Sequence, residues 1–188
     1  MRPIDPLMEE HRRIERMVAI MRRESVHVRE VSLVDTVFVD ALVDYFRSYT
    51  DRTHHGKEEG MLFRALEGKL LSAEDRATLE RLIDDHRWAR HTVVELDEAK
   101  GAYLDGKYLA LHTILEKLDA LTAFFPAHFQ LEDQAFFPAS MGYLTLAEEQ
   151  ALLREFWEWD RNMIHEKYQS VVDELERRLA AMPEAPRK

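Results

Sequence analysis

Cysteine is absent from the 188 residues, and glycine and proline are scarce, with six of each. Without cysteine the chain can form neither disulfides nor cysteine-ligated iron–sulfur clusters, and thiol catalysis is excluded. Any metal ion that it binds must therefore be held by nitrogen and oxygen atoms. Because helix-breaking residues are few and Leu, Ala, Glu and Arg are abundant, the composition favours long helices.

Long apolar runs and basic patches are also missing. No stretch approaches the length that a bilayer requires, and the N-terminus has no apolar signal segment, so we expect a cytoplasmic protein without membrane contact. The formal net charge of −10 argues against nucleic acid as a partner. Hydrophobic residues make up 46% of the chain, enough for one sizeable core. We therefore predict a single domain over residues 1–188.

Apolar residues recur three and four positions apart along almost the whole chain, which predicts an all-α fold. Ser72 and Thr145 each stand three residues before an acidic side chain, a spacing typical of a capping box at a helix start. The fold class that fits is an antiparallel, up-down four-helix bundle over residues 1–141 with an additional C-terminal fifth helix over 146–182. The predicted bundle helices cover about 6–24, 33–67, 72–102 and 107–137, with a loop at 25–32.

The predicted fifth helix carries an apolar stripe of its own. The stripe needs a surface to pack on, either the bundle or a second copy of the chain in a homodimer. His165 lies beside the stripe and is interpreted as an ordinary buried or surface histidine, with a further metal ligand or a hydrogen-bonding lid over the site as the alternative. The members of the stripe are Leu152, Phe156, Trp159, Met163, Val171 and Leu175.

The most informative feature of the sequence is an internal repeat. Glu9-Glu10-His11-Arg12 resembles Asp84-Asp85-His86-Arg87, which stands 75 residues later. The residues around His54 match those around His128 at an offset of 74. Each copy thus has a lone histidine and then, on the next helix, a histidine with a glutamate four residues on. Such an echo predicts a bundle with pseudo-two-fold symmetry.

The repeated residues predict a metal site. A histidine and a glutamate four residues apart lie on one face of a helix, so two such faces in a bundle core bring imidazoles and carboxylates together. A core tolerates them only if they are paired or ligated, since an uncompensated buried charge is strongly destabilising. Histidine and carboxylate without sulfur suit iron or manganese, with zinc as an alternative. The predicted metal ligands are His11, His54, Glu58, His86, His128 and Glu132.

The second predicted helix, over residues 33–67, contains a second candidate pair, His55 and Glu59. When the apolar and aromatic stripe upstream is extended by heptads, it points to His55 and Glu59. When Leu62-Phe63 is instead aligned with Phe136-Phe137 of the second copy, the ligands are His54 and Glu58. We prefer the second alignment because it compares equivalent helix turns, and because two nearby glycines favour a local bulge. His55 is then expected behind the ligands or on the surface.

The other histidines and two tyrosines have simpler interpretations. His27, His91 and His112 have no counterpart in the repeat and are expected on the surface. Tyr45 and Tyr49 are expected to pack in the core, with hydrogen bonding to a bound oxygen species as the alternative.

The quoted motifs resemble those of a known family. The segments 54–63 and 128–138 resemble the two histidine–glutamate motifs of the HHE cation-binding domains of the hemerythrin family, and the segments around His11 and His86 resemble its single-histidine motifs. The resemblance covers about residues 1–141. It implies a bundle that holds two iron ions in an oxo- or hydroxo-bridged di-iron centre. It further implies one iron with His11 and His54, the other with His86 and His128, and Glu58 and Glu132 as bridges.

The chain differs from the oxygen-carrying hemerythrins at two places. Those carriers have a second helix 3 histidine where this chain has Arg90, and an aspartate five residues after the helix 4 histidine, where this chain has Asp133 in addition to Glu132. The ligand set resembles more closely that of di-iron proteins linked to nitric oxide and oxidative stress. We therefore prefer a protein that binds or senses O2 or NO. The alternatives are a di-iron redox enzyme or iron donor for damaged iron centres, and metal binding for stability or storage only.

Overall fold

The structure, a computed structural model, describes residues 1–162 and 164–181, without the side chains of 162, 164–166 and 181. Within these ranges the regular structure is entirely helical, which confirms the predicted all-α class. No helix in the described part combines the length and apolar character needed to cross a membrane. The six helices are α1 (Ile4–Val31), α2 (36–66), α3 (Ala73–Leu104), α4 (110–140), α5 (Leu146–Trp159) and α6 (Ile164–Ala181).

The first helix is longer than the sequence predicted. The segment 25–32, expected as a loop, continues α1 to Val31, and Ser32 ends it in a left-handed conformation with φ of 55°. Ser25 and Val28 are buried, and the Ser25 hydroxyl donates a hydrogen bond to Asp119 of α4 at 2.8 Å. These tertiary contacts stabilise as helix a stretch whose β-branched residues have modest helix propensity.

Wide π-helical turns interrupt the middle of α2. Asp35 caps its start by accepting two backbone N–H bonds, and Thr36–Tyr45 is α-helical. Two π-helical stretches follow, Phe46–His55 and Glu58–Phe63. Gly68, with φ of 78°, stands just after the last turn. The predicted bounds of the helix and its local bulge are confirmed.

The fourth helix also contains a π-helical stretch, which the sequence did not predict. It is α-helical over Ala110–Leu131, π-helical over Glu132–Phe136 and α-helical again over Phe137–Ser140. Pro126 lies inside its first part. The wide turns of α2 and α4 each begin at or span a predicted ligand, in line with the tendency of π-turns to occur at functional sites.

Two side-chain caps fix the starts of α3 and α5. Thr145 and Glu148 form the predicted capping box, with both reciprocal hydrogen bonds present. Ser72 accepts the backbone N–H of Asp75 at 3.0 Å, but its own backbone N–H donates to the Tyr143 hydroxyl at 3.0 Å instead of to Asp75. The predicted box at Ser72 is therefore only half formed, and Tyr143 completes the cap.

The predicted single C-terminal helix is two helices. A 3-10 turn at Asp160–Asn162 follows the end of α5 and precedes α6. Phe156 of α5 and Tyr168 of α6 are both buried against the bundle. The bundle is thus the surface that covers much of the predicted stripe, although Trp159 stays 44% exposed. Met163 lies outside the described residues.

Two apolar clusters fill the core and leave a polar layer between them. Helix α1 packs against α2 and α4, and α3 packs against the same two helices, which closes a four-helix bundle. On each bundle helix the predicted ligands fall between a residue of one cluster and a residue of the other. The clusters are represented on one side by Ile14, Tyr49, Val93 and Phe125, and on the other by Leu7, Leu62, Leu82 and Phe136.

Candidate metal centre

Buried histidines and glutamates from all four bundle helices meet in the polar layer. The structure brings together all of the predicted ligands, and none of them is more than 1% exposed. Their helices are α1 for His11, α2 for His54 and Glu58, α3 for His86, and α4 for His128 and Glu132.

Each glutamate faces histidines from both halves of the repeat. The two carboxylate oxygens of Glu58 lie 3.4 Å from Nε2 of His54 and 3.3 Å from Nε2 of His86. Those of Glu132 lie 3.2 Å from Nε2 of His11 and 3.7 Å from Nε2 of His86. Both carboxylates therefore span the midline of the bundle, as a carboxylate that bridges two cations must do.

A carboxylate stands behind each of the paired histidines. Nδ1 of His54 lies 3.0 Å from Glu10, and Nδ1 of His128 lies 3.4 Å from Asp85. In both cases the acid directly precedes the lone histidine of the same half. A carboxylate at Nδ1 accepts a hydrogen bond from the Nδ1–H group, which fixes the ring proton there and leaves the Nε2 lone pair free to face the centre.

The lone histidines are held in the same way. Nδ1 of His11 lies 2.7 Å from Asp133, and Nδ1 of His86 lies 2.7 Å from Glu59. Each of these acids directly follows a predicted bridging glutamate. None of the four acids was predicted to support a ligand, although they repeat at the same offsets as the ligands and that signal could have identified them.

The atoms that face the centre lack satisfactory partners. Among the described residues, both carboxylate oxygens of Glu58 and Glu132 and the Nε2 atoms of His86 and His128 have no hydrogen bond. Each buried group left in this state costs about 1–3 kcal/mol. Cations placed among these atoms would satisfy them, and the nitrogen and oxygen donors fit iron or manganese.

The unsatisfied metal-donor atoms include the facing Nε2 atoms of His11 and His54. Their Nε2 atoms lie only 3.0 Å apart. Because each ring donates a hydrogen bond from its Nδ1–H group to a carboxylate, both Nε2 atoms of the neutral rings carry lone pairs and neither can donate to the other. Two lone pairs that face each other at this distance repel, and a cation that accepts both would turn the repulsion into ligation.

Burial controls the ionisation of these groups. It raises the pKa of Glu58 and Glu132 well above the usual value, and nearby carboxylates raise it further. It lowers the pKa of His54 well below the usual value and that of His86 to about 4. The imidazoles are therefore neutral, which is the form that binds metal, and the two carboxylates need a cation nearby to stay ionised.

The expectation that His55 could lie on the surface is wrong. His55 is 1% exposed, and its ring stacks on His86 with centroids 3.9 Å apart and planes 10° from parallel. A nitrogen of His55 lies within 4.8 Å of nitrogens of His86 and His128. The wide turns of α2 direct both adjacent histidines inward. Glu59 instead lies behind the centre, where it also accepts a bond from Arg90 at 2.5 Å.

Lys57 is a fully buried cation whose burial was not predicted from the sequence. Its Nζ donates hydrogen bonds to Glu10 and to both carboxylate oxygens of Asp160 at 2.9 Å. It thereby joins the acid that holds His54 to the turn between α5 and α6. Nothing in the sequence marks it, because a lysine on an amphipathic helix is ordinarily exposed.

The simpler interpretations hold for the two tyrosines and for two of the other histidines. His91 and His112 are exposed, and His27 is half-buried. Tyr45 and Tyr49 are fully buried in the apolar cluster. The side chain of His165 lies outside the described residues.

The fold and the buried histidine–glutamate clusters together define a helical bundle with a candidate cation-binding centre. The family model described as Hemerythrin HHE cation binding domain matches residues 2–140, a range that includes every clustered residue. The chain therefore belongs to the hemerythrin family, as its motifs predicted. Neither the comparison with curated proteins nor the comparison with solved structures found a match.

Proposed function

We propose that this protein binds two iron ions in the polar layer and that this centre binds or senses O2 or NO. The observation that carries the proposal is the convergence of buried nitrogen and oxygen donors that no protein group satisfies. In the proposed arrangement each iron is bound by one histidine pair and both glutamates bridge. The ligands are His11 and His54 for one iron, His86 and His128 for the other, and Glu58 and Glu132 for both.

The donor count supports a centre that reacts with small ligands. Two imidazoles and two bridging carboxylates give each cation four protein donors, fewer than an octahedral iron accepts. Iron in such a site supplies a redox-active Lewis acid with coordination positions left for a small molecule. A site built only for stability would have no need of such positions, because structural sites are usually closed by protein ligands.

The chain also shields the centre from water. Phe137 stacks beside His11 with centroids 5.6 Å apart, and Phe63, its counterpart in the repeat, stacks beside His86 at 6.0 Å. Both rings belong to the apolar cluster on the α5 side of the polar layer. The apolar packing on this side keeps the donors in place and excludes water from this face of the centre.

The test begins with protein purified without chelator. Metal analysis should find two irons per chain, and azide should shift the near-ultraviolet bands of the oxidised form. The reduced form should give a spectroscopically distinct complex with NO or O2. His91→Asn is the matched control, since His91 is an exposed histidine outside the centre, and it should retain both irons.

Two outcomes contradict the proposal in different ways. A single tightly held zinc, with no spectral response, would replace the iron centre by a structural site. If the iron-loaded, reduced protein forms no complex with either gas, the iron site remains supported but the proposed binding of O2 or NO is wrong.

A further inference from the structure

The ring that stacks on the lone histidine differs between the two halves. His55 aligns in the repeat with Phe129, which stands 74 residues later. His55 stacks on His86 at 3.9 Å between centroids, and Phe129 stacks on His11 at 4.1 Å. The two rings therefore have the same packing role, and a phenylalanine is sufficient for it in one half.

The stacked geometry places His55 outside the ligand set of the neighbouring cation. An imidazole binds a cation in its own ring plane, because the nitrogen lone pair lies in that plane. The planes of His55 and His86 are stacked and only 10° from parallel, so a cation in the plane of His86 lies off the plane of His55. His55 thus needs another explanation for being a histidine.

His55 has polar atoms that the described residues do not satisfy. Both of its ring nitrogens are buried without a hydrogen bond, and the nearest carboxylate, Asp51, lies 3.6 Å from Nδ1, too far for one. The hydroxyl of Thr50, a residue only 2% exposed, is in the same state. Buried polar groups of this kind normally have a partner, so both side chains are poised to bind something that enters from outside.

A cavity of about 180 Å³ lies between α2 and α3 and is lined by both of these side chains. It has room for a few molecules the size of water. Arg90 also lines it, but its guanidinium already pairs with Asp51 at 2.6 Å and with Glu59 at 2.5 Å. The cavity therefore offers hydrogen-bonding groups and apolar walls rather than an unpaired charge.

The equivalent place in the other half is lined by no side chain that contacts a predicted histidine ligand in the way His55 does. By the repeat, Thr50 and Asp51 correspond to Phe124 and Phe125. A groove does lie between α1 and α4, but Phe125 and Pro126 line it and no histidine does. The two sides of a pseudo-symmetric centre thus differ in access.

We propose that the cavity lined by Thr50 and His55 is the ligand pocket of the centre. It leads a small molecule whose free end accepts a hydrogen bond, such as O2, NO or azide, to the cation held by His86 and His128. Thr50 and His55 donate hydrogen bonds to that molecule. This inference rests on the proposed iron site and assigns ligand entry to one of its two sides.

The repeat offers a matched pair of variants to test the entry route. Val94 lines the cavity and is 41% exposed, and its counterpart Ala19 is exposed and lines the groove of the other half. In the oxidised, iron-loaded protein, Val94→Trp should slow azide association by about tenfold, whereas Ala19→Trp should change it by less than about twofold. Equal rates in the two variants would overturn the assignment of the entry side.

Two further variants test the hydrogen bonds. Thr50→Val keeps the shape and removes the hydroxyl, and it should weaken azide and NO binding by about five- to tenfold, the worth of one hydrogen bond. His55→Phe copies the other half. It should retain two irons per chain and also bind these ligands less tightly. Unchanged affinity in both variants, or loss of iron in His55→Phe, would overturn the proposed roles.

The metal count separates this inference from the proposed function. A wild-type protein that takes up no iron contradicts the iron site before any azide is added. A wild-type protein with two irons, in which Val94→Trp and Ala19→Trp behave alike, contradicts only the pocket.

Discussion

The two halves of the repeat share the residues that face the centre and differ in those that surround it. Each half supplies a lone histidine, a histidine–glutamate pair and two acids behind the imidazoles, at offsets of 74 or 75 residues. The halves differ in the pairs His55 and Phe129, Lys57 and Leu131, and Arg90 and Glu15. The two proposed cations would explain the shared set, since both would need the same donors. The differing residues belong to the proposed ligand pocket and to the attachment of the C-terminal helices, and each of these is found on one side of the centre only.

The anchors behind the paired histidines illustrate the difference. Glu10, behind His54, forms a buried ion pair with Lys57, which also binds Asp160 beside the C-terminal helices. Asp85, the counterpart of Glu10, lies 3.8 Å from Arg81, whose side chain is 64% exposed. The anchor of the first half is thus connected through buried Lys57 to the turn between α5 and α6, whereas the anchor of the second half pairs with an exposed arginine.

The largest effect should follow from removing a bridging carboxylate. Since Glu58 and Glu132 each face histidines of both halves, Glu58→Gln and Glu132→Gln should each lower the affinity for both cations by more than about 100-fold, beyond the loss seen when a supporting residue is changed. Metal analysis after gel filtration measures this. Glu9→Gln, at an exposed position next to Glu10, is the control. If either variant retains one cation per chain at wild-type affinity, the substituted glutamate binds only the cation of its own half and does not bridge.

The buried lysine should dominate stability in the first half. Lys57→Met removes a buried ion-pair partner of Glu10 and Asp160 and should destabilise the metal-free protein by about 3–5 kcal/mol. Arg81→Met, which removes the exposed partner of Asp85, should cost less than about 1 kcal/mol. Urea unfolding measures both. Similar losses in the two variants would contradict the asymmetry of the anchors.

The acids behind the lone histidines test how alike the halves are. Asp133→Asn and Glu59→Gln should each weaken iron binding by about 10–100-fold, the usual range for a residue that orients a metal ligand. The effect should be greater for Asp133, whose side chain is 12% exposed, than for Glu59, which is 31% exposed. Competition with a chelator of known affinity gives both values. Wild-type affinity in either variant would show that this acid does not orient its histidine.

The smallest effect concerns the helix starts of the two halves. Helix α3 begins with the cap Ser72, whereas α1 begins after Pro3 without a side-chain cap. Ser72→Ala should therefore cost about 1 kcal/mol in urea unfolding. Thr145→Ala, which removes a complete capping box, should cost at least as much. A neutral result for Ser72→Ala would mean that Tyr143 alone is sufficient to hold this end.

The residues that face the centre could be predicted because their signal is local and repeated. A histidine and a glutamate four residues apart share a helix face whatever the rest of the fold does, and the second copy made chance unlikely as an explanation. Asp133 and Glu59 carried the same repeated signal. Which histidine each acid contacts, His11 for Asp133 and His86 for Glu59, became clear only from the structure.

Other features depend on tertiary contacts that no local pattern contains. The inward position of His55 follows from π-helical turns, and their number and place in α2 are set by packing. The extension of α1 depends on the bond between Ser25 and Asp119, which are far apart in the sequence. The burial of Lys57 depends on Asp160, at the break between α5 and α6 that the apolar stripe did not reveal.

The most direct test of the account is a crystal structure of the iron-loaded protein with anomalous scattering recorded at the iron edge. We predict two peaks in the polar layer, one beside Nε2 of His11 and His54 and one beside Nε2 of His86 and His128. Glu58 and Glu132 should span both peaks, and His55 should remain stacked on His86. A single peak, or two peaks that do not share these carboxylates, would contradict the proposed centre.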